Sequence, residues 1–428
     1  MWANAQIQAS NSPSDARAAV LACAQHTARA LLMKRQQRIR LAPLPLGPYD
    51  RLAARAGRRK PRDAFSTRRR TTVNAQVSQG TSVQVATVCG PVRADELGMT
   101  LTHEHLVSDW SRRAEEPKGE AECDLYYAQV DASMAWLLND NPRCCLDNGR
   151  QDDPTAMVEE LGHFIDAGGG TVVDCSNGDM GRNPAMLQEI SERSGLNIVM
   201  GSGWYVHAFH DESKALASVD ELWGELVGEF EDGVGDTGVR PGVIGEIGVS
   251  PQFTDAEKTR LRAACRGQRR LGVPLFIHLP GWQRRAFEVL DIVLQDEGVA
   301  PEAVVLCHMD PSGEDVGYQR AVAAQGVWLE FDMIGMPYYY DGEGQSPAPD
   351  QTAQAIAGLI RDGHAGRILL SHDLAAKSMW TRNGGNGIGY VPRLFLPRLQ
   401  RHGVPPSVTA ALMTDNPCRL FTASGAAR

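Results

Sequence analysis

Two histidines separated by one residue, His103 and His105, stand in the stretch TLTHEHLVSDW. On an α-helix, side chains two positions apart point to different faces, whereas on a β-strand they point to the same face. If this stretch is a strand, both imidazoles can reach one ligand, and a metal ion is a frequent partner of imidazole groups. Such a site also requires other strands to bring matching donors to the same place.

Seven further β-rich runs follow this stretch, and helical patterns separate them, such as the amphipathic residues 255–272. The runs cover residues 170–177, 197–205, 242–250, 274–280, 303–309, 327–334 and 368–374. Alternating strands and helices predict parallel strands with right-handed crossovers, and eight such units predict an α/β fold, a (β/α)8 TIM barrel. A short β-hairpin around Gly90 and Pro91 is expected before the barrel. An open doubly wound sheet is the alternative, although no G-x-G-x-x-G follows the first strand.

Six polar side chains fall at the carboxyl ends of the predicted strands, where barrel enzymes carry their active sites. A single histidine in an apolar strand is more often a hydrogen-bonded core residue, but six coincidences at equivalent positions favour a metal site. Four imidazoles and two carboxylates suit Zn²⁺ or a similar divalent ion, and six ligands suit two ions that share one carboxylate. The candidates are His103, His105, Glu246, His278, His308 and Asp373.

Motifs at these strand ends resemble the phosphotriesterase family of the amidohydrolase superfamily, and most of all its phosphotriesterase-related, N-acetyltaurine hydrolase-like branch. The resemblance covers about residues 82–422 and rests on TLTHEHL, GVIGEIG, IHLPG, CHMDPS, LEFDMIG and ILLSHD followed by NGGNGIGY. It implies two divalent metal ions, with zinc expected first and manganese, cobalt or iron as alternatives. One ion would be held by His103, His105 and Asp373 and the other by His278 and His308, with Glu246 bridging both.

The sequence departs from the best-known phosphotriesterases at two positions. Glu246 stands where those enzymes have a carboxylated lysine, although the related branch also has glutamate there. Met333 stands where organophosphate-degrading members have a histidine that relays protons, which argues against efficient phosphotriester hydrolysis.

The resemblance therefore implies a hydrolase of a small amide, lactone or ester, with an N-acetyltaurine-like acyl amide as the first expectation. Glu246 would act as a catalytic bridging ligand, and Asp373 would pass a proton from the attacking water to the leaving group. Phosphotriesterase activity is one alternative. A metal-containing barrel that binds a ligand without turnover is another.

Pocket residues are predicted less directly, because they lie in loops after the strands. Tyr205, His207 and Arg382 are candidates for the substrate pocket, and ordinary surface positions are the competing interpretation. Asp310, in HMDPSG, is expected either to orient a metal ligand or to cap a loop. The run from Tyr338 to Tyr340 is interpreted as a pocket wall or a cover of the barrel.

Charge divides the chain into two parts. Residues 1–75 hold fifteen Lys and Arg against three Asp and Glu, a net charge of +12, which leaves −21 for the remainder. We interpret residues 1–78 as a basic leader and residues 79–428 as the hydrolase barrel. The leader is interpreted first as a disordered extension, next as an organelle transit segment and last as a nucleic-acid-binding arm.

Composition indicates the cellular compartment and the kinds of partner to expect. Nine cysteines without any C-x-x-C indicate reduced thiols and a cytoplasmic protein, with organelle targeting through residues 1–75 as the alternative. The sequence contains no run of 18 apolar residues, so no transmembrane helix is predicted. The expected partner is a small-molecule substrate, with nucleic acid considered only for the leader and a homodimer left open.

Overall fold

The computed structural model describes residues 83–425, so the expectations for residues 1–78 lie outside the described part of the chain. Eight parallel strands follow one another in chain order in a single sheet. We number them β1 Met99–Glu104, β2 Gly169–Asp174, β3 Asn197–Ser202, β4 Val243–Gly248, β5 Leu275–His278, β6 Val304–Leu306, β7 Trp328–Phe331 and β8 Ile368–Leu370. Each predicted run overlaps one of these strands, β1 and β2 beginning one residue before the predicted runs, and the predicted (β/α)8 TIM barrel is confirmed.

The barrel closes between β8 and β1. The backbone N–H of His103 donates to Oγ of Ser371 at 2.9 Å. The backbone N–H of Asp373 donates to the carbonyl of His103 at 3.2 Å. This seam therefore brings two candidate ligands, His103 and Asp373, next to each other.

Helices surround the barrel, and local sequence explains where they begin and end. The helix Asp255–Leu271 begins with a capping box between Thr254 and Glu257 and ends at Gly272, whose φ is +67°. It matches the predicted amphipathic segment 255–272. The other helices that follow β1 are Glu120–Tyr126, Ala135–Asp140, Pro154–Ile165, Pro184–Ser194, Val219–Asp232, Ala286–Leu290, Val316–Ala323, Pro349–Arg361, Leu396–Arg401, Pro406–Met413 and Asp415–Ser424.

The predicted hairpin is present, as strands Gln84–Thr87 and Gly90–Arg93. Its turn lies two residues earlier than the prediction, because Thr87 pairs with Gly90 and leaves Val88 and Cys89 at the tip. Gly90 is the first residue of the second strand and has a φ of +113°, a conformation that favours glycine. Val85 of this hairpin packs in the same apolar cluster as Phe276 and Trp328 from the barrel strands.

Two excursions extend from the carboxyl ends of the strands. The first, after β1, is closed at its base by antiparallel strands Ser108–Asp109 and Arg150–Gln151. The second, after β7, forms the small hairpin Tyr339–Tyr340 and Gly344–Gln345. Among the described residues, no helix combines the length and apolar character needed to cross a bilayer.

Candidate metal centre

The carboxylate of Glu246, on β4, lies among four imidazoles. Its Oε2 is 2.9 Å from Nδ1 of His278 and 3.3 Å from Nε2 of His308. Its Oε1 is 3.4 Å from Nε2 of His105, and Oε2 is 3.7 Å from Nε2 of His103. The structure thus gathers donors from β1, β4 and the ends of β5 and β6 around one side chain.

These donors divide into two groups that share Glu246. His103, His105 and Glu246 form one group, and Glu246, His278 and His308 form the other; within each group the ligand atoms lie within 4.8 Å of one another. Asp373 adjoins the first group, since its Oδ1 is 3.1 Å from Nε2 of His105 and 4.0 Å from Nε2 of His103. The arrangement could accommodate two cations with one common carboxylate.

The imidazole of His103 is oriented by carboxylates on its far side. Its Nδ1 is 3.1 Å from Oε2 of Glu330 and 3.2 Å from Oδ2 of Asp332. Its Nε2 is buried and has no hydrogen-bond partner. Because these carboxylates favour the proton on Nδ1, Nε2 is the atom left to face Glu246, as a metal-ligating histidine requires.

Two of the other imidazoles, those of His105 and His308, are also contacted through Nδ1 on the side away from Glu246. Nδ1 of His105 is 2.9 Å from Oγ of Ser176. Asp332 accepts the backbone N–H of His308 at 3.0 Å and lies 2.9 Å from its Nδ1. In both residues the remaining nitrogen, Nε2, is turned toward the shared Glu246.

Backbone conformation marks two of the candidate ligands. His308 has a φ of +59° and Asp373 a φ of +52°, the left-handed region that residues with a Cβ adopt at a cost. Both residues lie just past the end of a strand. Strain of this kind concentrates at functional sites, where surrounding contacts maintain it.

The electrostatics of the site favour cations. Burial opposes ionisation of Glu246, yet the charges of His278 and His103 hold the pKa of its carboxyl well below its usual range. Burial likewise opposes protonation of His308, yet Asp332 and Glu246 raise the pKa of its imidazole well above its usual range. An environment that attracts protons this strongly also attracts divalent cations, so the residues present fit a metal centre.

Glu104, between the two histidines of β1, points away from them and holds the end of β8. Its Oε1 accepts from Oγ of Ser371 at 2.9 Å, from the N–H of His372 at 3.1 Å and from Nδ1 of His372 at 2.7 Å. Its Oε2 accepts the N–H of Leu374 at 2.9 Å. Glu104 therefore fixes the segment that carries Asp373.

Asp310 is buried but does not contact a candidate metal ligand through a hydrogen bond. Its carboxylate accepts the N–H of Met333 at 3.1 Å and the hydroxyl of Thr352 at 3.3 Å. Burial and the charge of Asp332 raise the pKa of Asp310 to about 7. The residue that contacts His308 is Asp332, which the sequence analysis did not single out.

A cavity of about 100 Å³ opens onto the cluster. Its lining includes His278, His308, Asp373, Met333 and Tyr205, and the ring of Tyr205 lies edge-on to that of His278 at 4.9 Å. The lining also includes four residues that sequence reasoning missed and one from the tyrosine run: Arg113, Arg143, Trp282, Glu343 and Tyr340.

His207 and Arg382 do not line this cavity. Nδ1 of His207 is 3.0 Å from Oγ1 of Thr254, and its ring stacks on that of His210. The guanidinium of Arg382 lies over the ring of Trp380, 5.9 Å from its centroid. Of the three predicted pocket residues, the structure brings only Tyr205 to the candidate metal ligands.

Glu330 and Asp332 were detectable in principle. They stand two apart at the end of β7, with the same period as His103 and His105, and both are fully buried. No comparable pattern marks Arg113 and Arg143, which lie in the long excursion after β1.

The fold and this site define a (β/α)8 barrel protein with a candidate metal centre at the carboxyl ends of its strands. The chain belongs to the phosphotriesterase family, whose sequence model matches residues 83–421. It is similar to the N-acetyltaurine hydrolase of Salmo salar, with 33% identity over 347 residues, 80% of this chain and 98% of that one.

Two solved structures are also similar. A resiniferatoxin-binding protein from Rhodobacter sphaeroides shares 42% identity and a TM-score of 0.77, over 80% of this chain and 95% of that one. A phosphotriesterase homology protein from Escherichia coli, complexed with phosphate in its active site, shares 25% identity and a TM-score of 0.62, over 76% of this chain and 98% of that one. The family match and the similarity to an N-acetyltaurine hydrolase show that this chain is an enzyme.

Proposed function

We propose that this enzyme is a metal-dependent hydrolase that cleaves a small acyl amide, with N-acetyltaurine-like compounds as the first expectation and small lactones and esters next. The observation that carries the proposal is the buried Nε2 of His103, which faces Glu246 and has no hydrogen-bond partner. A buried polar atom without a partner is costly unless something binds it, and a cation fits its surroundings.

The ligands would divide as the geometry suggests. His103, His105 and Asp373 would hold one ion, His278 and His308 the other, and Glu246 both. Mixed nitrogen and oxygen ligands suit zinc, with manganese, cobalt and iron as the alternatives to test. When bound, two divalent ions would supply Lewis acidity toward the acyl oxygen and lower the pKa of the attacking water.

The chain's own residues supply the proton transfer and the enclosure. Oδ1 of Asp373 lies 3.1 Å from Nε2 of His105, and the residue lines the cavity with its side chain 16% exposed. It would accept the proton of the attacking water and deliver it to the leaving amine. The rings of Tyr205 and Trp282 line the cavity and would shield the reacting groups from bulk water.

Cavity size favours small substrates over aryl phosphotriesters. Its volume of about 100 Å³ is well below the roughly 300–1,000 Å³ typical of sites for drug-sized ligands. Met333 lines the cavity and offers no titratable group for proton relay. Phosphotriester hydrolysis would therefore be at most a side activity.

The test is metal analysis of the purified protein combined with hydrolysis assays on N-acetyltaurine, a small lactone and an aryl phosphotriester. We expect about two metal ions per chain, and amide hydrolysis that chelation abolishes and added Zn²⁺ restores. A metal-free protein indifferent to chelators would refute the metal-dependent function. Metal-dependent ligand binding without turnover would support a binding protein instead, a possibility that the name of the Rhodobacter sphaeroides relative raises.

A further inference from the structure

Two arginines from the excursion after β1 line the active-site cavity. Arg113 ends the short helix Ser111–Arg113, and Arg143 lies further along the same excursion. Both guanidinium groups approach one carboxylate oxygen, Oε1 of Glu343, at 3.9 Å and 3.0 Å respectively. Three charged groups from two distant segments of the chain thus meet in the cavity that holds His278 and Asp373.

The charges of this group do not balance. Two guanidinium ions share a single carboxylate, which leaves one positive charge in excess. The 3.9 Å separation between Arg113 and Glu343 is beyond hydrogen-bond length, so the guanidinium of Arg113 can turn its donors toward a ligand. A second anion would relieve the repulsion between the two arginines.

Arg143 is held in a fixed position. Its guanidinium lies 5.4 Å from the ring centroid of Tyr340, and that ring in turn packs edge-on against Trp282 at 5.5 Å. The side chain of Arg143 is only 16% exposed, and that of Glu343 is 21% exposed. A charge that is partly shielded from water and preorganised by aromatic contacts interacts strongly with an incoming anion.

We propose that Arg113 and Arg143 form an anion subsite that selects acyl amides whose amine part carries a sulfonate or carboxylate group. Guanidinium groups match such oxyanions through paired N–H donors. The inference rests on the proposed function, because it assigns the acyl group to the metal cluster and the anionic end to the arginines. Glu343 would compete with the substrate for the same donors and weaken its binding.

The experiment compares N-acetyl-β-alanine with its uncharged primary amide, and N-acetyltaurine with N-acetylpropylamine, in the zinc-loaded enzyme. We expect kcat/KM to be about tenfold to a hundredfold higher for the anionic member of each pair, as for loss of a charge-assisted hydrogen bond. Arg113→Gln and Arg143→Lys should reduce this preference mainly through KM, and Glu343→Gln should lower KM for the anionic substrates. Arg193→Gln is the matched control, since Arg193 is as exposed as Arg113 but pairs with Glu189 on a surface helix.

The outcomes separate the subsite from the proposed function. Equal kcat/KM for charged and neutral amides, or equal losses for both in Arg113→Gln, would overturn the subsite while leaving amide hydrolysis intact. If no amide is hydrolysed, calorimetric titration with N-acetyltaurine still decides the subsite. Binding that weakens in Arg113→Gln and strengthens in Glu343→Gln would support it, and binding that is absent or insensitive to both would refute it.

Discussion

The two halves of the candidate metal centre are held differently. His103 and His105, at the seam of the barrel, are almost completely buried, with Glu330, Asp332 and Ser176 on the far sides of their rings. His278 and His308 are 18% and 7% exposed and face the cavity, with Asp332 as the carboxylate behind His308.

From this difference in burial we expect the two halves to have different roles. The seam half is enclosed and braced before any ion binds, so an ion there should be bound tightly and exchange slowly. The cavity half is where a substrate can approach, and Tyr205 and Trp282 lie beside it. Glu246 belongs to both halves, so a substitution in one half should also change the metal affinity of the other.

The largest expected effect is on turnover through Asp373, which belongs to the seam half but reaches the cavity. Asp373→Asn should lower kcat by about 10²–10⁴-fold, because the amide cannot accept the proton of the attacking water. The unfolding temperature should stay near that of the unchanged enzyme. Steady-state kinetics check this, with the exposed Asp350→Asn as control; undiminished turnover would remove Asp373 from the mechanism.

A smaller effect is expected on metal affinity, and it distinguishes the halves. Asp332 contacts both His103 and His308, so Asp332→Asn should weaken binding of both ions by about 10–100-fold. Ser176→Ala, which affects only His105, should weaken one ion alone. Competitive titration of zinc against a chelator measures the affinity of each ion in the two variants. If both variants weakened the same ions to the same extent, the proposed difference between the two halves would be contradicted.

Glu104 should affect stability at the seam. Glu104→Gln replaces a buried carboxylate that accepts four hydrogen bonds and leaves donors of Ser371, His372 or Leu374 unsatisfied. We expect the free energy of unfolding to fall by about 1.5–3 kcal/mol. Denaturant unfolding tests this, with exposed Glu159→Gln as the matched control; equal stability of both variants would show that Glu104 does not brace the seam.

The smallest expected effect is the order in which ions leave. On exposure to a chelator, the ion at His278 and His308 should dissociate before the ion at His103 and His105, because the former histidines are more exposed. Metal content followed over time should show two phases, and His278→Asn should remove the faster one. A single phase shared by both ions would mean that the halves do not act separately.

Site residues at the strand ends were predicted from the sequence more successfully than site residues in the loops. Parallel strands in a closed barrel all end at one rim, so donors at those ends meet whatever the detailed packing. This reasoning gathered His103, Glu246 and His308, and the structure places them together. It passed over Glu330 and Asp332, because whether a carboxylate binds an ion or supports a ligand depends on what lies opposite in the barrel.

By itself, the sequence determined the barrel and the strand ends that carry the six donors, because the periodicity that distinguishes strands from helices is a local property of the chain. Only the tertiary structure decided which residues form the cavity wall. Arg143 and Glu343 are 200 residues apart and share no periodic pattern. Tyr205 faces the cavity while His207, two residues later, begins a short helix and turns to Thr254. Loop positions depend on long-range packing, and no local rule specifies them.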